Sequence, residues 1–378
     1  MKDSLLLEQR GLGGGSSSWS AGFIESQYLA EEHLSEDRIR LCAWSLECFE
    51  RLEWAYGLTF HHVGKLLLGS SRAHVEEFMR SIQVQRDLGI VDSAVLGPDE
   101  VRLRAPQLQL DNVAGALWGP RDGYIDPSQL CRVYTAVASS QGAVVQTSTC
   151  VQQVLGLDSG GFTVVTDRGT FTCERVVNAA GAWAARVDEG LGVILPIHGY
   201  RQQLALYDVV PGFDSRLPLV VDPGHVVQRG VLYFREDGPS RVVAGLHSED
   251  TAGLPADDSG SWKETVDVDF QLIVAEQLRK RVRPEYALSA AGGWAGLYPL
   301  TPDGKLILGE SRAVPGLIHA AGLGGNGIQI SPAVGRITAD VIVDGGTDLL
   351  RSLEPYRLER FGGDSGRFTP GTEARGAA

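Results

Sequence analysis

Cysteine is scarce in this sequence, and the few cysteines that it has are not grouped. Five occur in 378 residues, at Cys42, Cys48, Cys131, Cys150 and Cys173. No two of them form a CxxC pair or the spacing of metal ligands, and their odd number excludes a complete disulfide framework. We therefore expect no metal site, a reducing compartment, and cysteines that serve as small buried side chains.

Positive charge is also in deficit, and long apolar runs are missing. The 34 Lys and Arg face 47 Asp and Glu, a net charge of −13, so the chain lacks the cationic face that nucleic acids and anionic membranes require. No run approaches the ~20 apolar residues of a membrane-spanning helix, and Met1 is followed by Lys2 and Asp3 rather than by a signal-peptide core. We expect a cytoplasmic protein that binds a small molecule, with no nucleic acid and no membrane as partner.

Glycine, in contrast, is abundant, with 47 residues. Because glycine adopts backbone conformations closed to other residues, this number predicts many tight turns and close approaches of the backbone to a ligand. A length of 378 residues predicts two domains at ~100 to 200 residues each. Such a chain can bury a large cofactor.

The hydrophobic period changes several times along the chain. Apolar residues at helical spacing predict helices over residues 34–56, 73–88, 128–142 and 268–283. A period of two predicts a β-meander over residues 143–180 and further strands over residues 196–245. This alternation predicts an α/β fold in which a Rossmann-like dinucleotide-binding domain with a parallel sheet is interleaved with an α+β domain built on an antiparallel sheet. Both domains would be discontinuous.

The sequence opens on a strand pattern followed by a loop of glycine and serine. The apolar run LLL ends on Glu8, where a Rossmann-type fold places the acid that binds an adenosine ribose. Residues 11–20 then hold four glycines and four serines, whose backbone N–H groups suit contact with a pyrophosphate or a flavin ring. The alternative for Glu8 is a solvated loop residue, and the alternative for residues 11–20 is a flexible linker. Trp19 argues against the linker, which would not need a large aromatic side chain.

Two more glycine-rich segments follow strand patterns. In RVVNAAGAWA (residues 175–184) the small residues leave room for a ligand, with helix-on-sheet packing as the alternative. The segment AAGLGGNGIQISPAVG (residues 320–335) runs from a strand through a turn into a helix, which we predict over residues 331–343 with Ser331 as its cap and Pro332 in its first turn. Backbone donors at a helix N-terminus stabilise negative charge. The segments together predict one cofactor held by both ends of the chain.

Taken in order, six segments resemble one family. They are LLLEQRGLGGGSSSWSAG, DGYIDPSQL, VVNAAGAWA, VLYFRED, GLYPLTPDGKLILGES and AAGLGGNGIQISPAVG, and they resemble the FAD-dependent oxidoreductases that include D-amino-acid oxidase, glycine oxidase, and the sarcosine and dimethylglycine dehydrogenases. The resemblance spans nearly the whole chain. It implies an FAD-binding domain at residues 1–50, 121–195 and 290–345, and a substrate domain at residues 51–120 and 196–289 whose antiparallel sheet covers the flavin.

Carried over residue by residue, the resemblance implies a set of residues along FAD. These are Glu8 and Gln9 at the adenosine end, Val151 at the adenine, Ser16, Ser17, Ser18 and Trp19 on the flavin and phosphate side, Gly181 and Trp183 beside the dinucleotide, and Gly322, Gly324, Gly325, Asn326, Gly327 and Ile328 along the flavin pyrimidine edge.

One family feature is missing from the sequence. Relatives begin with a strand and a GxGxxG turn, a βα unit of roughly 30 residues, whereas this sequence starts at the strand that ends on Glu8. We expect that the central strand of the parallel sheet and the helix that should hold the pyrophosphate lie outside this sequence. A start codon assigned too late is our first explanation, and a truncated chain or a paralogue without cofactor are the alternatives. At the other end, we expect residues 361–378 to be a disordered tail.

The residues that tether the flavin covalently in some relatives are also absent. Ser20 stands where dimethylglycine dehydrogenases carry a histidine, and Gly296 stands where sarcosine oxidases carry a cysteine. The resemblance therefore implies noncovalent FAD.

The usual anchors for a substrate carboxylate are replaced as well. Tyr298 stands where glycine oxidases have an arginine, and Gln329 stands where sarcosine oxidases have a lysine. If the substrate is an amino acid, Arg235 or Arg201 would have to bind its carboxylate.

The candidates for the catalytic pocket come from strand segments. PIHGYRQQL resembles, with a one-residue offset, the segment that gives dimethylglycine oxidases a histidine and a tyrosine facing the flavin. We predict that His198 and Tyr233 line the pocket, with Tyr200, Arg235 and Tyr298 as second choices, and a structural polar group is the alternative for each. Amine oxidation needs a neutral amine whose C–H bond is aimed at flavin N5.

Three functions follow as hypotheses. The first is FAD-dependent oxidation of the C–N bond of a small amino acid or a secondary N-methyl amine, by hydride transfer to flavin N5, with an imine as product. The second is a non-catalytic homologue that depends on a partner subunit or a second copy to cover its incomplete sheet. The third is a flavoprotein that oxidises a 2-hydroxy acid or glycerol phosphate.

Overall fold

The computed structural model describes residues 4–26, 33–223, 230–247 and 261–362. Its helices are α1 (His33–Tyr56), α2 (Arg72–Asp87), α3 (Pro98–Arg104), α4 (Pro127–Ser140), α5 (Ala184–Glu189), α6 (Val268–Leu278) and α7 (Gly327–Asp344). Its strands are β1 (Leu5–Leu7), β2 (Phe23–Ile24), β3 (Phe60–His61), β4 (Lys65–Gly69), β5 (Ala94–Leu96), β6 (Gly115–Gly119), β7 (Gly123–Ile125), β8 (Val144–Gln146), β9 (Val151–Gly156), β10 (Phe162–Thr166), β11 (Gly169–Cys173), β12 (Val176–Asn178), β13 (His198–Val210), β14 (Leu219–Asp222), β15 (Val231–Glu236), β16 (Arg241–His247), β17 (Ala287–Leu300), β18 (Ile307–Glu310) and β19 (Leu317–Ala321).

The largest sheet has eight strands in the order β17-β13-β16-β15-β14-β4-β6-β5. All of its neighbouring pairs are antiparallel except β14 and β4. Its largest core packs α6 against one face, with Phe234, Val242 and Val274 fully buried. The opposite face meets a small sheet of the order β2-β7-β3, where the rings of Phe23 and Tyr233 touch edge to face.

Outside the eight-stranded sheet, the parallel strands lie in two separate pieces. One pairs β1 with β8, and the other places β12 beside β19, with β18 antiparallel at its edge. Leu6 and Val177 are 50% and 42% exposed, although parallel strands are ordinarily covered on both sides. The α/β class with both sheet types is confirmed, and a strand between the two pieces stays a prediction.

Two helix ends differ from the sequence prediction. Helix α7 begins at Gly327 rather than at Ser331, so Pro332 lies inside it. Proline cannot donate to the carbonyl four residues back, and here the Ser331 hydroxyl donates to that carbonyl, on Ile328, at 2.9 Å. Helix α6 ends at Leu278 rather than at residue 283, and Val282, which lies beyond its end, bridges to Leu108.

Other expectations are corrected in smaller ways. Only Cys42 is buried, and the other four cysteines are half-buried, all of them free thiols. Phe361 belongs to an ordered 3₁₀ turn, Leu358–Phe361, and the predicted disordered tail from residue 363 onward lies outside the described residues.

The expected domain boundary at residue 290 falls within β17, which belongs wholly to the eight-stranded sheet. The domain division itself stays a proposal.

Two findings bear on membranes and metals. Within the part of the chain that the structure describes, no helix combines the length and apolar character needed to cross a membrane. In the same residues, no group of three or more His, Cys, Asp or Glu side chains is placed to hold a metal ion. The cytoplasmic location stays a prediction.

A buried ion pair behind α6 gives the first test of the fold. The Arg281 guanidinium is 1% exposed, binds the Asp222 carboxylate at 2.5 Å, and donates to the carbonyls of Gln109 and Asp111 at 3.1 Å. Arg281→Met leaves a buried carboxylate without its cation, so we expect the free energy of unfolding to fall by about 3–5 kcal/mol in a urea titration. Lys280 is next to Arg281 in the sequence and forms an exposed pair with Glu276. Lys280→Met is therefore the control and should change the free energy of unfolding by at most about 0.5 kcal/mol. Equal losses in both variants would contradict this role for the buried pair.

Candidate active site

The first glycine loop joins β1 to a 3₁₀ turn at Ser17–Trp19. Glu8 follows β1, and its Oε1 accepts a hydrogen bond from the Arg10 amide at 2.8 Å. Gly13 has a φ of +74°, and a Cβ there would overlap the Ser18 hydroxyl at 2.5 Å, so the turn requires glycine. The Ser18 hydroxyl lies 3.0 Å from that of Ser128 on α4.

Two polar atoms of this loop are buried and have no partner among the described residues. They are the Ser16 hydroxyl and the Trp19 indole nitrogen. Buried polar groups are nearly always hydrogen-bonded, so such orphans point to a group that the protein binds. By contrast, Ser17 and Ser18 direct their hydroxyls to Cys131 and Ser128 on α4. Their contact with a cofactor stays a prediction.

The second and third glycine turns are 3₁₀ turns at Gly181–Trp183 and Gly324–Asn326. Gly181 and Gly324 both have a φ of +57°, and nothing lies within 4 Å of a Cβ built on Gly181. A Cβ built on Gly15, in the first glycine loop, would lie 3.5 Å from the ring of Trp183. The first loop and the second turn are therefore in contact.

One strand contacts all three glycine turns. β17 runs past the turns at Ser17–Trp19, Gly181–Trp183 and Gly324–Asn326. The Trp294 indole on β17 donates to the Trp19 carbonyl at 2.7 Å, and a Cβ on Gly296 would overlap the Trp19 side chain. A Cβ on Gly325 would lie 2.6 Å from the ring of Tyr298. The predicted cofactor loops from distant parts of the chain therefore converge on β17.

The remaining predicted cofactor residues lie at the edges of this group. Val151 at the start of β9 packs in the same apolar cluster as Leu7 of β1, which places it near Glu8. Helix α7 begins after Asn326, whose side chain makes no cap hydrogen bond and instead accepts one from Gln329 at 2.9 Å. The first N–H groups of a helix lack partners within it and favour an anion or a carbonyl oxygen.

These features fit FAD. A carboxylate stands at a strand end for a ribose, glycine turns leave space for close backbone contact, and a helix N-terminus together with two orphaned polar atoms supplies donors. The individual cofactor contacts stay predictions.

Three aromatic side chains gather beside the third turn. Tyr233 on β15 stacks on His247 at the end of β16 with 4.6 Å between ring centroids, and the His247 ring lies 6.0 Å from that of Tyr298 on β17. Tyr233 pairs across the strands with Gly245, where a Cβ would overlap the Tyr233 ring. Glycine at that position therefore lets the ring lie flat over the sheet. We call Tyr233, His247 and Tyr298 the aromatic cluster.

The aromatic cluster is uncharged near neutral pH. Burial, together with the hydrogen-bonded Tyr298 hydroxyl, raises the pKa of Tyr233 well above its ordinary value, and burial raises the pKa of Tyr298 as well. Burial lowers the pKa of His247 to about 4. Two protonated phenols and a neutral imidazole can accept and donate hydrogen bonds without carrying charge.

The structure brings some of the predicted catalytic residues together and not others. Tyr233 and Tyr298 are neighbours, and Tyr200 pairs with Tyr298 in the register of β13 and β17. His198 begins β13 and is exposed, and its place in the catalytic pocket stays a prediction. Sequence reasoning missed His247. The signal was the hairpin of β15 and β16, whose alternation places His247 on the face of Gly245 and Tyr233.

The two arginines proposed as carboxylate anchors hold the chain together. Arg235 donates to the carbonyls of Ala21 and Glu236 at 2.8 and 2.7 Å, and its guanidinium lies 4.3 Å from the centre of the Tyr124 ring. Arg201 binds the Asp267 carboxylate at 2.7 Å and also donates to backbone carbonyls. Both guanidinium groups are thus used in fixing loops.

A group of buried charges lies beyond β2. The Lys65 ammonium, 4% exposed, is paired with the Glu25 carboxylate. The Ser26 amide and hydroxyl donate to Asp122 Oδ1 at 2.9 and 2.6 Å, while Oδ2 is buried and has no partner among the described residues. Burial raises the pKa of Asp122 from 3.8 to about 7, against the opposing effect of the Lys65 charge. We call Glu25, Lys65 and Asp122 the charged triad.

The raised pKa of Asp122 predicts a pH-dependent stability. Between pH 3.8 and about 7 the folded state keeps a proton that the unfolded state has lost, so this residue makes the free energy of unfolding fall as pH rises through that window, by ~1.4 kcal/mol per pKa unit. In Asp122→Asn, the free energy of unfolding measured with urea should not show this decline. The free energy of unfolding of the wild type minus that of the variant should decrease by several kcal/mol from pH 4 to 7 and then level off. A difference that stays constant with pH would contradict the assignment.

The glycine under Tyr233 gives a second test. Gly245→Ala should push the Tyr233 ring off the sheet, lowering the free energy of unfolding by about 1–3 kcal/mol and altering the near-ultraviolet circular dichroism of the aromatic cluster. Gly335→Ala in α7, where a Cβ meets open space, is the matched control and should be neutral or stabilising by up to about 1 kcal/mol. The same response from both variants would show that Gly245 does not hold the ring.

Comparison with known proteins places this site in context. The chain matches the DAO family, described as FAD dependent oxidoreductase, over residues 2–341. It is 26% identical to the glycine oxidase of Geobacillus kaustophilus over 367 residues, covering 96% of this chain and 91% of that protein. It is also 26% identical to the 4-methylaminobutanoate oxidase (formaldehyde-forming) of Paenarthrobacter nicotinovorans, covering 91% of this chain but 41% of that protein. The chain thus spans less than half of that relative.

Solved structures share the fold. The glycine oxidase from Geobacillus kaustophilus superposes with a TM-score of 0.77 at 26% identity, covering 94% of this chain and 91% of that chain. The L-proline dehydrogenase from P. horikoshii superposes with a TM-score of 0.82 at 24% identity, covering 95% and 98%. Together with the family match across residues 2–341, this shows that the chain belongs to the DAO family of FAD-dependent oxidoreductases, whose cofactor is FAD.

Proposed function

We propose that this chain oxidises the C–N bond of a small amino acid or a secondary N-methyl amine to an imine, with FAD as the oxidant. The observation that carries the proposal is the aromatic cluster, which is uncharged, has Tyr233 buried at its centre, and contacts the third glycine turn through Tyr298 and Gly325. The family relatives named for glycine, sarcosine, dimethylglycine and 4-methylaminobutanoate support an amine or amino acid as substrate.

The cofactor would be held noncovalently by the three glycine turns. Glu8 would bind the adenosine ribose, Ser16 and the backbone of the first turn the phosphate side, and the N-terminus of α7 the pyrimidine edge. FAD, when bound, supplies the two-electron acceptor for the hydride. Residues 1–50, 121–195 and 290–345 would form the FAD-binding domain and residues 51–120 and 196–289 the substrate domain, with β17 shared between them.

The aromatic cluster would bind and orient the amine. A hydride leaves readily only from carbon attached to a neutral amine nitrogen, so the pocket must favour the unprotonated form at the moment of reaction. The neutral His247 imidazole can accept a hydrogen bond from the amine N–H, and the Tyr233 and Tyr298 hydroxyls can fix its direction. Their apolar rings exclude water from the reacting carbon. The imine is then hydrolysed by water after it leaves.

A second candidate is a polypeptide that needs a partner subunit or a second copy. The observation that favours it is the exposure of Leu6 and Val177 on the two unjoined pieces of the parallel sheet. Such a protein would be stable and bind FAD only with the partner present.

The decisive experiment adds FAD and then substrates to the purified chain. We expect saturating FAD to raise the thermal unfolding temperature and to give a yellow protein from which acid releases all of the flavin. Under anaerobic conditions, N-methyl amines or small amino acids should bleach the flavin, while 2-hydroxy acids and glycerol phosphate should not. Bleaching only by the hydroxy compounds would overturn the amine assignment. If FAD gives neither a yellow colour nor a thermal shift, the enzymatic function of this polypeptide alone is overturned. That result would favour the partner-dependent form.

A further inference from the structure

A short segment before α6 runs beside β17 and reaches the predicted cofactor loops. The Ala295 amide on β17 donates to the Glu264 carbonyl at 2.7 Å. The Trp262 indole donates to the Ala295 carbonyl at 2.8 Å. We call residues 261–267 the strap.

The strap is fixed to the eight-stranded sheet. Thr265 forms a β-bridge with Trp294 on β17. The Arg201 guanidinium on β13 donates to the carbonyls of Lys263 and Thr265 at 2.8 and 2.6 Å. The guanidinium that sequence reasoning offered as a substrate anchor therefore holds the strap in place.

The Trp262 side chain contacts two of the predicted cofactor loops. The guanidinium carbon of Arg10, in the first glycine loop, lies 4.8 Å from the centre of the Trp262 ring. The ring of Trp183, in the second glycine turn, lies 5.9 Å from that of Trp262, and the two ring planes are tilted by 52°. One half-buried side chain of the strap thus joins loops that lie far apart in the sequence.

An ion pair joins the strap to the first glycine loop as well. Arg10 Nη1 lies 3.0 Å from Glu264 Oε1, and the two side chains are 40% and 45% exposed. The Arg10 amide donates to the carboxylate of Glu8 at 2.8 Å, and Glu8 is the residue predicted to bind the adenosine ribose. The pair therefore ties the backbone next to Glu8 to the strap.

The two loops that the strap joins meet beside an unpartnered polar group. A Cβ built on Gly15 would lie 3.5 Å from the ring of Trp183. The hydroxyl of the next residue, Ser16, is buried and has no partner among the described residues. Because buried polar groups are nearly always hydrogen-bonded, this hydroxyl points to a bound group between the two loops.

We propose that the strap is a clasp that retains FAD. A cofactor between the first glycine loop and the second turn leaves when one loop moves away from the other, and such a movement breaks the contact of Trp262 with Arg10 or with Trp183. Release therefore costs the free energy of these contacts. Trp262, Arg10 and Glu264 act on FAD through the loops, so they are positioning residues. The inference rests on the cofactor placement in the proposed function and not on the identity of the substrate.

The rate of cofactor release tests the ring contacts. The full chain is loaded with radiolabelled FAD, and exchange into an excess of unlabelled FAD gives the rate constant of release without any turnover. Trp262→Ala removes the contacts with both loops, so we expect release to be about 10- to 50-fold faster. Trp54→Ala, at a side chain of α1 that is 90% exposed, is the matched control and should leave the rate unchanged.

The ion pair is tested by charge and by salt. Glu264→Gln should speed release about two- to fivefold, the range of an exposed pair, and Arg10→Met should speed it more because the ring contact is lost as well. Adding Glu264→Gln to Arg10→Met should have no further effect, since the two side chains act as a pair. Raising NaCl from about 0.05 to about 0.5 M should speed release from the wild type more than from Glu264→Gln, which a merely structural role would not produce.

Two further variants guard the test. Glu264→Gln removes one charge at an exposed position, so it keeps the test available if Trp262→Ala fails to fold. Glu76→Gln, at an exposed pair with Arg72 on α2, is its matched control and should release FAD at the wild-type rate.

The outcomes for the clasp and for the proposed oxidation differ. Unchanged release in Trp262→Ala and in Glu264→Gln, or the same acceleration in their controls, would overturn the clasp. If release depends on the strap but no amine or amino acid bleaches the bound flavin, the clasp stands and the proposed oxidation fails. If the chain binds no FAD, both fail.

Discussion

The site depends on one strand that contacts parts of the chain more than 300 residues apart. β17 belongs to the eight-stranded sheet, yet it touches all three glycine turns of the predicted cofactor region. Gly296 and Gly325 permit this closeness, since a side chain at either would strike Trp19 or Tyr298. Because β17 also positions Tyr298, the strand that contacts the predicted cofactor loops also carries one ring of the aromatic cluster. Strand β17 therefore fixes the position of Tyr298 relative to the predicted cofactor loops.

The side chains of the aromatic cluster are all uncharged. Burial keeps the phenols of Tyr233 and Tyr298 protonated and the imidazole of His247 neutral, so in the proposed reaction these groups would not stabilise a protonated amine. The side chains of Glu25 and Lys65 are paired with each other beyond β2.

Much of the fold followed from local sequence patterns, because local patterns record which face of an element is buried. Helix α1 matches its predicted span of 34–56 within one residue, and the three glycine turns lie where the strand patterns ended. The family and its cofactor followed from the order of six motifs. Helix α7 was predicted, but its start was placed at Ser331 instead of Gly327, because the Ser331 hydroxyl takes over the bond that Pro332 cannot make.

The pocket was predicted only in part, because its members meet through long-range contacts. Tyr233 and Tyr298 were named from motifs, but His247 reaches them only through the register of a hairpin. Arg235 looked available because its partner, the Ala21 carbonyl, belongs to a distant loop. The Glu25 and Lys65 pair joins residues 40 positions apart, which no local pattern encodes.

The most direct measurement is a crystal structure of the chain loaded with FAD. The account predicts the flavin ring against Gly325 and the start of α7, with one face toward Tyr233, His247 and Tyr298 and the ribose at Glu8. A flavin bound elsewhere, or one whose reactive edge is turned away from the aromatic cluster, would contradict it.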